Sequence, residues 1–163
     1  MKSICKKVLA PVLLTIILII SCLCGACSAK KGDANSKITE FYNLVSESKK
    51  LLDDIADDYY TYWYEAIYKN KYLGDINIAL TIAESANTTK INTVKSNDGL
   101  IKTAYQSAKS EKYEAILREV MTTYSDYYEF VINISGSFNS YSSGKETKKK
   151  ALATALKSLS FEI

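Results

Sequence analysis

Histidine is absent from all 163 residues. Its absence removes the commonest general base, the commonest metal ligand and the usual switch near neutral pH. Cysteine is confined to Cys5, Cys22, Cys24 and Cys27. Beyond Ser28 there is therefore no disulfide framework, no thiolate metal site and no cysteine nucleophile. Proline occurs once, at Pro11, and beyond residue 35 the only glycines are Gly74, Gly99, Gly136 and Gly144. A stretch so poor in both breakers favours helix, and each of these glycines is expected to mark a helix end or break.

One sign of charge is also missing where it would matter. The net charge of +3 rests on Lys2, Lys6 and Lys7; without them 18 basic side chains face 18 acidic ones. Arg118 is the single arginine. Nucleic-acid binders carry a basic footprint, so a nucleic-acid partner is excluded from the expectations.

What is present begins with "MKSICKK", basic, then "VLAPVLLTIILII", apolar, then "SCLCGAC", small and cysteine-rich. That order is the pattern of an export signal. Ile19-Ile20-Ser21-Cys22 resembles the lipobox of bacterial lipoproteins. The resemblance implies cleavage after Ser21, a signal peptide over 1–21, and a diacylglyceryl group on Cys22, which would hold the domain on the extracytoplasmic face of the cell membrane. Gly25-Ala26-Cys27 leaves Cys27 as an alternative lipidation site, although Cys24 stands where that pattern has an aliphatic residue. An uncleaved membrane span and an ordinary secretory signal are the other readings of the same segment. Residues 22–35, which take in most of the polar "SAKKGDANSK" (28–37), read as the lipidated N-terminus and a tether, and 36–163 as the folded domain.

Within that domain the apolar positions Ile38, Phe41, Val45, Ser48, Leu52, Ile55, Tyr59, Tyr62 and Ala66 recur in alternating steps of three and four. This is a heptad seam over about 35 residues, roughly 50 Å of helix. Asp75 is placed to cap a second helix carrying Ile76, Ala79, Leu80, Ala83 and Ala86, whose end falls near 88 or near 95. Asp98 reads as the cap of a stretch with Ile101, Tyr105 and Ala108. A second seam runs through Tyr113, Leu117, Val120, Tyr124, Tyr127, Val131 and Ile134, with Phe138 and Tyr141 as a possible continuation. It is out of register with Ala108, so a break is expected near "KSEK", residues 109–112. A shorter last helix starts at about Glu146. The expected fold class is all-α: an antiparallel bundle of about four helices, two of them long and tyrosine-rich.

The stretch "DDIADDYYTYWYEAIY", 53–68, concentrates the candidate chemistry. Asp53, Asp54 and Asp57 point away from the seam and Asp58 flanks it. A helix spreads such carboxylates around its surface, whereas a calcium loop needs turns and a glycine. A solvated acidic face is expected, with no metal site, no cofactor and no catalytic residue. Tyr60, Tyr64 and Tyr68 stand at i, i+4 and i+8 on the side away from the seam. They form a candidate partner surface, unless another helix covers them. Tyr59, Tyr62, Trp63, Tyr124 and Tyr127 are the candidate lining of an interhelical pocket. "KETKKK", 145–150, lies on solvent or meets anionic headgroups. Two functions follow: a lipid-anchored, non-enzymatic module binding a protein or envelope partner through a helix face, or a small-molecule or metal sensor with its pocket between helices. Intact mass of the membrane-extracted protein is expected to show diacylglyceryl on a new N-terminal cysteine; an unmodified cysteine would refute the anchor.

Overall fold

A seam as long as the first one has to be covered by several neighbours, and the fold is organised around doing so. The structure is a computed structural model and describes residues 33–110 and 112–163. The expected signal peptide and the candidate lipidation sites Cys22 and Cys27 lie outside the described residues. Helix α1 is Asp33–Lys69, 37 residues, or about 55 Å. A short 3-10 turn, Lys71–Gly74, leads to α2, Ile76–Ala86, and α3, Thr88–Ala108. Helices α4, Glu114–Ile132, and α5, Phe138–Ser160, complete the chain. Among the described residues there is no strand, and the helices pack as an all-α bundle.

The seam of α1 is buried from Ile38 through Tyr59, and then it shifts. Trp63 occupies the core where Tyr62 was expected, and Ala56 is buried beside Ile55. The cause is arithmetic. A straight helix drifts about 20° per heptad, so after more than three repeats Tyr62 has rotated off the buried face and Trp63 onto it. Tyr62, half-buried, stacks instead on Tyr72 of the turn, with ring centres 5.5 Å apart.

Contacts across the bundle define direction. On α3, Lys90 reaches Asp54 and Asp58, Asn97 reaches Ser48, and Tyr105 meets Phe41. Numbers rise on one helix as they fall on the other, so α3 is antiparallel to α1. The same holds for α5, where Phe138 meets Tyr64, Tyr141 meets Trp63, and Lys149 approaches Asp53. Helix α4 runs parallel to α1, with Tyr127 bonded to Asp53 and Tyr124 beside Ser48. Helices α2 and α3 form one broken arm, so four rods surround the core.

Local chemistry explains most boundaries. Asp75 caps α2, its carboxylate accepting from the N–H groups of Asn77 and Ile78 at 2.7 and 3.3 Å. The break at Asn87 is a single residue wide, and its side chain donates to the Ala83 carbonyl at 3.0 Å. Gly136, at φ +90°, makes the turn before α5, and Ser137 caps it by accepting from the Ser140 N–H. This cap starts α5 at Phe138 rather than near Glu146, and Phe138 and Tyr141 belong to α5 instead of prolonging the second seam. The expected break near 109–112 is present, since α3 ends at Ala108.

Two glycines expected at helix ends lie inside helices. Gly99 is within α3, and Asp98 is no cap but pairs with Lys102 at 2.6 Å. Gly144 is within α5, where the ring of Phe130 on α4 approaches so closely that a Cβ would stand 2.8 Å from Cε2. A Cβ at Gly99 would meet nothing within 4 Å. Replacing each by alanine should therefore have opposite effects. Gly99→Ala is expected to stabilise by about 0.5–1 kcal/mol through helix propensity. Gly144→Ala is expected to destabilise by about 1–3 kcal/mol through overpacking against Phe130. Urea unfolding of the two variants checks both signs.

Candidate functional site

The four aspartates of 53–58 are not simply solvated. They form two i, i+4 pairs that face two different helices. Asp54 and Asp58 share Lys90 of α3 at 3.7 and 3.4 Å. Asp53 and Asp57 face the lysine run of α5: Lys145 lies 2.6 Å from Asp57, and Lys149 lies 3.5 Å from Asp57 and 3.8 Å from Asp53. The run "KETKKK" is thus drawn onto α1, with Lys148 also 4.0 Å from Asp126 of α4. Lys145 is buried, and its ammonium stands 4.6 Å from the ring centre of Tyr60. Burial works against its charge, but the hydrogen bond and charge of Asp57, with Glu146, outweigh it and hold its pKa above the ordinary lysine value. On Asp57, burial raises the carboxyl, yet Lys145 and Lys149 bring it below the usual carboxylate value. Among the described residues, no three side chains of the His, Cys, Asp and Glu types converge on a metal position.

The candidate pocket residues divide. Trp63, Tyr124 and Tyr127 are core side chains, and Tyr62 stacks on the turn. Tyr59 alone of the five borders an open cleft of about 370 Å³. Its polar lining is Tyr59, Asn77, Thr81, Glu84 and Asn133; Leu80, Ile132 and Ile134 supply the apolar part. The cleft lies between α1, α2 and the end of α4.

Within the core, Tyr127 donates to Asp53 Oδ1 at 2.9 Å and Tyr141 donates to the Ala56 carbonyl at 3.2 Å. The Trp63 indole N–H is buried without a hydrogen-bond partner among the described residues, and the Tyr124 hydroxyl is buried beside Ser48. Burial raises the phenol pKa values of Tyr124, Tyr127 and Tyr141. Tyr59 is pushed up to about 12, by burial first and by the charge of Glu84 second.

The outward tyrosines form a graded surface. Phe138, at the first turn of α5, lies among all three, with ring centres 5.2 Å from Tyr60, 6.2 Å from Tyr64 and 5.8 Å from Tyr68. Tyr60 is closed in by Phe138 and Lys145. Tyr64 and Tyr68 remain 37 % and 60 % exposed, and Ile67 is exposed beside them. Past α1, the turn holds Asn70, Tyr72 and Leu73 at positive φ, and Leu73 is 90 % exposed. Tyr72 is fixed by its stacking on Tyr62 and a hydrogen bond to Glu65 at 3.2 Å. Leu73 has no such tie in the core.

Phe138 was read only as a possible end of the second seam and Lys145 only as part of "KETKKK"; Leu73 and Glu84 were not singled out by sequence. Gly136-Ser137 before Phe138 was the available signal for the first, and the i, i+4 spacing of Tyr141 and Lys145 followed from it. Compared with known proteins, the chain matches no family model, no curated protein and no solved structure.

The raised phenols set a pH dependence. A tyrosine whose folded pKa lies above its unfolded value favours the fold only in its neutral form. Stability is then full below about pH 10, the ordinary tyrosine value. It falls as pH rises from there through about 12, the folded value of Tyr59. Tyr127→Phe is expected to cost roughly 1.5 kcal/mol at neutral pH, from the lost bond to a carboxylate. It should also make the alkaline limb less steep by the equivalent of one proton. Denaturation midpoints measured between pH 7 and the alkaline limb test both effects together.

Proposed function

We propose that this chain is a lipid-anchored, non-enzymatic docking module of the extracytoplasmic membrane surface. Cys22 carries the lipid, with Cys27 the alternative residue, and residues up to the start of α1 act as the tether. The module binds an envelope protein through the open end of the tyrosine face of α1, at Tyr64 and Tyr68, together with the turn at Leu73.

The observation that carries this reading is the coincidence of two costs in one place. Left-handed backbone costs about 1–2 kcal/mol per residue for a side chain such as leucine, and here it holds an almost fully exposed apolar group. Folding alone gives no reason to keep both. Strain and exposure together at one tip are characteristic of functional surfaces. Aromatic residues are also enriched where proteins meet. The non-enzymatic part rests on the absence of histidine, the confinement of cysteine to the first 27 residues, and the engagement of Asp53, Asp54, Asp57 and Asp58 in ion pairs.

Geometry favours the tip as the working end. Helix α1 runs unbroken from Asp33 to Lys69, so the turn stands about 55 Å along the helix from where the tether joins. Among the described residues no helix is long and apolar enough to cross a membrane.

A photo-crosslinking amino acid placed at Tyr68 or at Leu73, in the native host, is expected to give a discrete protein adduct. The same probe at Arg118, exposed near the start of α4, should give none. Tyr64→Ser with Tyr68→Ser should abolish the Leu73 adduct while leaving the melting temperature within a few degrees. No adduct at either tip position, or equal adducts at Arg118, would overturn the reading.

A further inference from the structure

The cleft beside Tyr59 carries an inference independent of the docking surface. Its polar groups are unequal in kind. The Glu84 carboxylate has no hydrogen bond or ion pair among the described residues. One N–H of the Asn133 amide donates to Glu129 Oε2 at 2.6 Å, which fixes the amide and leaves its carbonyl oxygen as an acceptor. The Thr81 hydroxyl proton is likewise engaged, donating to the Asn77 carbonyl at 2.8 Å, so its oxygen retains acceptor capacity. The Tyr59 phenol lines the same cleft, feels the charge of Glu84 and stays neutral throughout the physiological range. The lining therefore offers one anion and several acceptors beside the neutral donors of Tyr59 and the two asparagine amides, and no cationic side chain belongs to it.

An alkylammonium has the opposite inventory: three donors, no acceptor and one positive charge. Leu80, Ile132 and Ile134 provide apolar surface for the carbon skeleton that carries it. The volume of about 370 Å³ is at the low end for a small-molecule site. We propose that this cleft binds the primary ammonium group of a small polar amine, with Glu84 as its counter-ion, the Asn133 and Thr81 oxygens as further acceptors, and the Tyr59 hydroxyl directed at the rest of the molecule.

Such an ammonium comes either from a free solute, as in an amino sugar, or from the N-terminus of a peptide. Two pairs of probes separate these sources: glucosamine against N-acetylglucosamine, and tri-alanine against acetyl-tri-alanine. Titration of the isotope-labelled domain, followed by amide NMR shifts, reads the site directly. The free amine of at least one pair should shift the amides of Asn77, Thr81, Glu84 and Asn133, and bind about tenfold more tightly than its acetylated form. Glu84→Gln should erase that preference. Because Glu84 is exposed and unpartnered, the variant should keep the wild-type spectrum elsewhere; Tyr59→Phe, which removes only the hydroxyl, should weaken binding without abolishing the charge preference. Glucosamine binding would assign the site to a solute and tri-alanine binding alone to a chain terminus. Equal binding of amine and acetylated forms, a preference that survives Glu84→Gln, or no shift with either amine would overturn the proposal.

Discussion

The apolar stripe of α1 must be covered along its whole length. A helix of this length has no packing of its own to hold it, and most helix stability in proteins comes from burying one face. The stripe is also too long and too straight to stay on a strict heptad. Its last turns face a different direction from its first, so one partner cannot serve the entire length. The broken arm of α2 and α3, then α4, then α5 share the task. Ile38 to Val45, Leu52 to Tyr59, and Trp63 lie at successive levels of one continuous core.

Polar groups give this arrangement its register. Hydrophobic contact alone would tolerate a slip of one heptad between antiparallel helices. Lys145 between Asp57 and Tyr60, and Asn97 against Ser48, would each lose their partners in such a slip. A buried ammonium without its carboxylate is costly, whereas exposed pairs such as Lys102–Asp98 contribute little. The acidic run that stands out in the sequence is thus divided, Asp53 and Asp57 facing the lysine run of α5 and Asp54 and Asp58 facing Lys90 of α3.

The helical class, the covering of α1 and the cap at Asp75 were legible because they depend on local period and local chemistry. Other features depended on what a neighbouring helix contributes. Gly144 resembles a breaker until Phe130 is seen to occupy the place of its Cβ. Tyr62 and Trp63 trade places through a drift that a fixed seven-residue count conceals. The tyrosine stripe was visible at the right spacing, but its shading from closed to open depends on Phe138, whose helix was expected to begin eight residues later. Glu84 carried no signal at all: a single acid on an amphipathic helix is ordinary, and only the approach of α4 turns it into the wall of a cleft.

The unbroken α1 also has a mechanical meaning. A load taken up at the turn and resisted ahead of Asp33 would be directed along the axis of one rod. Its antiparallel neighbours would then be strained in shear, with the contacts at Phe41, Ser48, Asp57 and Tyr64 stretched together. Peeling, by contrast, breaks such contacts one after another at far lower force. Under such a load the one-residue break at Asn87 would lie in the flanking arm, off the line of force.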